Sequence, residues 1–66
     1  MIGDELRFHV TALSEGQQVY FATWRKGEAV WTNFDGRRRF WLLDEAESVI
    51  RHLGIGELVI EHLAAR

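Results

Sequence analysis

The sequence predicts an α+β domain: a three- to five-stranded, mainly antiparallel sheet with one amphipathic helix on one face, in the order β-β-β-(β)-α-β. Three observations predict it. Residues 5–13 alternate between apolar and polar side chains; two runs rich in aromatic and β-branched residues are joined by a short glycine turn; and one stretch, Leu43 to Leu53, carries its apolar residues at helical spacing. A single helix covers one face of such a sheet and leaves the other to be closed by something else. The chain, residues 1–66, reads as one domain.

In the first run Leu6, Phe8, Val10 and Ala12 fall on one side and Glu5, Arg7, His9 and Thr11 on the other. A period of two over this length is a half-buried strand. Ser14-Glu15-Gly16 ends it, and Gln18 to Arg25 follows with Val19, Tyr20, Phe21, Thr23 and Trp24. Lys26-Gly27 then turns the chain into a third strand, Glu28 to Phe34, as a hairpin. Asp35-Gly36 reads as a second hairpin turn, since glycine supplies positive φ at no steric cost. Arg37 to Trp41 is then either a short fourth strand or an extended loop leading into the helix.

On the helix, Leu43, Ala46, Ile50 and Leu53 share one face with Val49 beside them, and Asp44, Glu45, Glu47, Ser48 and Arg51 point outward. Acidic residues in the first turn and Arg51-His52 in the last complement the macrodipole. Gly54 takes the left-handed position after the helix, from which Ile55 is expected to fold back onto Ile50 as in a Schellman motif. Leu42 stands where a Ser, Thr or Asp cap is the rule, a departure worth about 1 kcal/mol. Glu57 to Leu63 is the last strand, with Leu58, Ile60 and His62 on one side and Val59, Glu61 and Leu63 on the other.

This places Leu6, Phe8, Val10, Val19, Phe21, Leu58 and Ile60 under the helix and leaves Tyr20, Ala22 and Trp24 on the opposite face. Trp31 or Val30 joins either face, depending on a register the sequence leaves open. Two apolar faces and one helix do not match. Either the surplus aromatics are shielded by arginine stems, or two copies pack their uncovered faces or pair their edges. A chain of 66 residues favours the second, because so small a domain buries only about 60% of the surface of its unfolded chain. Disulfides, one common reinforcement at this size, are ruled out by the absence of cysteine.

Composition bounds the function. The 47% apolar share excludes a disordered tail, and no run of about 18 apolar residues exists to span a bilayer. The acidic start Met1-Ile2-Gly3-Asp4-Glu5 is unlike a secretory signal, and glycine is not second as myristoylation requires. With no cysteine, a cytoplasmic protein is expected, with no membrane contact. The net charge of −2 is unevenly spread: residues 16–43 hold Arg25, Lys26, Arg37, Arg38 and Arg39 against Glu28 and Asp35, and residues 44–66 hold five carboxylates against Arg51 and Arg66. Helix and strand solvation accounts for most of this, although such a dipole also steers partners.

The stretch from Tyr20 to Leu63 resembles a loose group of small bacterial and phage or prophage proteins of ββαβ type. The resemblance is carried by Trp24-Arg25-Lys26-Gly27-Glu28-Ala29-Val30-Trp31, Arg38-Arg39-Phe40 and Glu45-Ala46-Glu47. Members usually carry Thr or Ser at the helix cap, where this chain has Leu42. The resemblance implies a small ββαβ-type domain of phage or mobile-element origin and carries over no catalytic residue.

Chemistry-bearing groups are sparse. His9, His52 and His62 form no metal-ligand spacing, and only paired first and last strands would bring His9 near His62. Glu57 and Glu61 share a strand face at about 13 Å, too far for acid–base cooperation, and read as solvated edge charges. Ser14 and Ser48 lie in a turn and on a helix surface, without an activating base in the pattern. No catalytic residue, metal or cofactor is therefore expected, and the chain reads as a non-enzyme. The suggestive feature is aromatic and basic. Tyr20, Trp24, Trp31 and Trp41 are expected to form an interaction surface, for another copy of the chain or another protein. The alternative is single-stranded nucleic acid, stacked on the same rings with Arg25, Lys26, Arg37, Arg38 and Arg39 on its phosphates. The sequence pI of about 5.8 weighs against that alternative.

Overall fold

The computed structural model describes residues 5–63; Met1–Asp4, on which the reading of the N-terminus rests, and Arg66 lie outside the described residues. Strands β1 (Glu5–Ser14), β2 (Gln17–Arg25) and β3 (Glu28–Thr32) follow one another as two hairpins. Both turns, Glu15-Gly16 and Lys26-Gly27, have positive φ at each residue (54° and 81°; 52° and 81°). That is the type I′ geometry, whose twist matches that of the flanking strands. A helix, α1 (Leu43–Leu53), and a last strand, β4 (Glu57–Leu63), complete the order. The strands form one sheet, β3-β2-β1-β4, and β4 lies antiparallel to β1 without a break from Glu5↔Leu63 to Thr11↔Glu57.

The expected second hairpin at Asp35-Gly36 does not form. β3 stops at Thr32, and Phe34–Gly36 is a single 3-10 turn. The Asn33 side chain accepts the Gly36 N–H at 3.0 Å, and the Arg37 N–H reaches the Phe34 carbonyl. This local cap satisfies the backbone without a returning strand. The extended stretch after it has a different task. β1 and β2 pair only from Thr11↔Tyr20 to Ser14↔Gln17, and beyond Thr11 they fork. Residues 38–40 enter the fork: the Arg38 N–H donates to the Phe21 carbonyl of β2 (2.9 Å), and Phe40 exchanges two bonds with Phe8 of β1 (3.0 and 2.7 Å). The possible fourth strand is thus one bridge, at Phe40. Through it the chain crosses from one sheet face to the other.

α1 packs chiefly on β1 and β4. Phe8, Val10, Phe21, Phe40, Ala46 and Val49 form the core, with Ala29, Trp31, Ile50, Leu53 and Leu58 against them. Phe21, 1% exposed, stacks on Phe40 at 6.1 Å and meets Trp31 edge-on. Leu42 makes no side-chain cap, as its apolar character requires. At the other end Gly54 is left-handed (φ 77°) and its N–H bonds the Ile50 carbonyl at 2.7 Å. Ile55 remains over half exposed and borders a groove with Ala12, Val19 and Trp31. Gly56 passes close to the core beside it: a Cβ there would stand 3.2 Å from the Val10 Cγ1 and 3.7 Å from the Ile50 Cγ1, at φ 111°.

Candidate interaction surfaces

The face opposite α1 is closed by the segment between β3 and the fork. Phe34 lies edge-on to Tyr20 (5.4 Å) and to His9 (6.2 Å), and the Arg37 guanidinium stacks on the Phe34 ring at 3.6 Å. Arg37 then reaches Glu61 of β4 with two parallel bonds, Nε to Oε2 at 2.9 Å and Nη2 to Oε1 at 2.8 Å. His9 Nδ1 meets the same Oε2 at 2.5 Å. Such a fork holds a carboxylate in both distance and plane. Thr11, buried beside this group, donates its hydroxyl to the Val19 carbonyl.

Arg37, and His9 after it, hold the Glu61 carboxyl down at about 2 in spite of its partial burial. The same hydrogen bond raises Arg37 above its ordinary value. A carboxylate so tightly held is a poor proton acceptor near neutral pH, where a general base needs a pKa near the working pH. Glu61 was expected as a solvated edge charge and is instead the anchor of this network. His62 stands opposite Leu6, not beside His9, and its side chain belongs to the other face of the sheet. Among the described residues no three His, Asp or Glu side chains gather as metal ligands.

The four aromatic residues do not share one face. Between Phe21 and Thr23 the pairing of β2 with β3 slips by one residue, a bulge at Ala22. An extra residue reverses the alternation beyond it. Trp24 therefore turns to the helix side, against Phe21 (5.2 Å) and His52 (5.1 Å), rather than staying with Tyr20. Trp31 is paired with Phe21 and packs on the core. Tyr20 joins His9 and Phe34 on the far face, and Trp41 lies under the Arg7 guanidinium at 3.4 Å. The basic residues divide as well. Arg37 is closed onto Glu61, Arg38 and Arg39 are exposed at the fork, and Arg25 and Lys26 stand at the β2–β3 turn.

Further regions on the helix side stay open. Between α1 and β2 lies a cleft of about 580 Å³, with Phe21, Trp24 and Phe40 as its floor and Arg38, Asp44 and Glu45 at its rim. On the other flank of α1, Glu47, Ile50 and Arg51 border a shallow groove with Leu58 of β4, and helical spacing puts Leu43 in the same row. Here Ile60 is 52% exposed, Leu6 41% and Leu43 40%, with Leu42 at 61% just before the helix. Leu6 and Ile60 are diagonal neighbours across β1 and β4 on the helix side. The alternation of β4 made this apolar row legible in the sequence, but how far the helix reaches over it was not.

Fold and surfaces define a small α+β domain of βββαβ order. No protein-family model, curated protein or solved structure matches the chain.

Proposed function

We propose that the chain is a non-enzymatic protein-interaction domain, of the phage or prophage type its sequence resembles, that works in the cytoplasm as a homodimer. One observation carries this reading: α1 covers only part of the sheet, and Ile60 on the β4 edge stands exposed with Leu6 of β1 diagonal to it, while Leu42 and Leu43 stand exposed at the helix start. Single exposed apolar residues are ordinary on a monomer, whereas a group of them beside an open strand marks a contact surface. The far face competes less, because Phe34 and the Arg37–Glu61–His9 network cover part of it.

The alternative reading, single-stranded nucleic acid, draws less support from where its residues fall. Arg37 is engaged by Glu61, and Trp24 and Trp31 lie on the opposite face from Tyr20. Light scattering from micromolar to millimolar concentration tests the first reading, with the mass expected to rise toward twice 7.7 kDa. A monomer throughout refutes it. Titration with a labelled oligonucleotide tests the alternative: steep, salt-weakened binding supports it, and no binding at low salt ends it.

A further inference from the structure

The hydrogen-bond phase of the sheet says which groups of β4 face outward. Phe8 turns its N–H and C=O toward Phe40, on the β2 side of β1. Phe8 is also the residue opposite Ile60. In an antiparallel pair a residue presents both backbone groups to the same side, so Phe8↔Ile60 is a non-hydrogen-bonded pair. Ile60 and Leu58 therefore direct their N–H and C=O away from β1, to the outer side of β4. Glu57, Val59 and Glu61 direct theirs inward, to Thr11, His9 and Arg7.

No strand pairs with this outer side among the described residues. Natural edges are usually blunted by proline, charged side chains (lysine above all), a bulge or shortness. β4 has seven residues, neither proline nor lysine, and an unbroken register with β1. The other edge, β3, has five residues and lies against the bulged part of β2.

We infer that β4 is the dimerising edge: it pairs antiparallel with β4 of a second copy, Ile60 opposite Ile60, to join two sheets into one of eight strands. The inference rests on the homodimer reading above and adds its surface and register. Charge disfavours the two adjacent registers. Centring on Val59 sets Glu57 opposite Glu61 of the other copy, and centring on Glu61 sets the two Glu61 side chains against each other. Like charges directly opposite are destabilising. Centring on Ile60 puts Glu61 opposite Val59 and Glu57 opposite Leu63, and lets the two Ile60 residues exchange two backbone bonds. It also brings the exposed Ile60 side chains of both copies together at the two-fold axis on the helix side, with each copy's exposed Leu6 one strand behind.

Amide exchange read residue by residue at two concentrations tests this. If exchange proceeds through the monomer, the Ile60 N–H slows about 10-fold between a mostly monomeric sample and one that is about 90% dimer. The Val59 N–H, turned to β1, is protected in both. A dimer by light scattering whose Ile60 amide exchanges equally fast at both concentrations overturns the edge while leaving the homodimer standing. No dimer at any concentration overturns both. Ile60→Cys gives a second readout in a chain without cysteine. A hydrogen-bonded pair holds its Cα atoms about 5.5 Å apart, within disulfide span. Under mild oxidation the variant is expected to link at least about 10-fold faster than Leu13→Cys, at the β1–β2 turn. Equal rates contradict the register.

Discussion

The two faces of the sheet are closed by different forces. On the helix side Phe21, Val10 and Val49 are buried by apolar packing, which ignores pH and tolerates no loss of volume. On the far side a short turn is held down by one carboxylate shared between Arg37 and His9, with Phe34 laid over Tyr20. A chain with one helix thus closes a two-faced sheet in two ways. The connection to the helix does part of the covering, and part of the apolar surface still exposed, with Ile60 and Leu6, lies beside the β4 edge.

The largest effect is expected on the apolar side. Phe21→Ala removes the ring on which Phe40, Trp24 and Trp31 pack and should cost about 3–5 kcal/mol in chemical denaturation. A loss below about 1 kcal/mol would mean that this face is not the core. Next comes Glu61→Gln, which leaves the Arg37 charge partly buried without its counter-ion. It should cost about 2–3 kcal/mol, less than for a deeply buried pair because both side chains retain some solvent. Adding Arg37→Met should restore part of the loss, since no charge is then stranded. If the double variant loses the full sum of the two single losses, the two side chains do not act together.

Acid sharpens the comparison. Glu61 is lowered to about 2 in the folded chain, from an ordinary 4.5. The unfolded chain therefore takes up the proton first, and the stabilisation is complete above about pH 4.5 and is lost as pH falls toward 2. The loss should be on the order of 2–3 kcal/mol, read as the pH dependence of the unfolding free energy, and Glu61→Gln should flatten that part of the curve. Phe21→Ala should lower the whole curve and keep its shape. The smallest effect belongs to the helix start. Leu42 has extended φ and ψ and no side-chain cap, so Leu42→Asp should stabilise by about 0.5–1 kcal/mol in the same measurement. No gain would mean that the helix start is closed by other contacts.

Much of this was legible in the sequence. The period-two run from Glu5, the Lys26-Gly27 turn, the stripe from Leu43 to Leu53 and the last strand all stand where their patterns put them. These are local signals, each repeated over several residues. What escaped depends on single positions or on long-range register. One extra residue at Ala22 moved Trp24 to the other face, and nothing in the run Tyr20 to Trp24 marks a bulge. Asp35-Gly36 resembles a hairpin turn, but Asn33, two residues earlier, caps a 3-10 turn there. The Arg37–Glu61 pair spans 24 residues and shows only once β4 is known to lie beside β1. The aromatic surface read from the sequence was divided for the same reason.

We propose that a second copy closes the surface left exposed on the helix side. Thermal unfolding at two concentrations about a hundredfold apart tests it most directly, because association of the folded state alone makes Tm depend on concentration. Tm is expected to rise with concentration, and to rise less in Ile60→Lys, which sets like charges together at the two-fold axis. A Tm that stays the same across that range would contradict it.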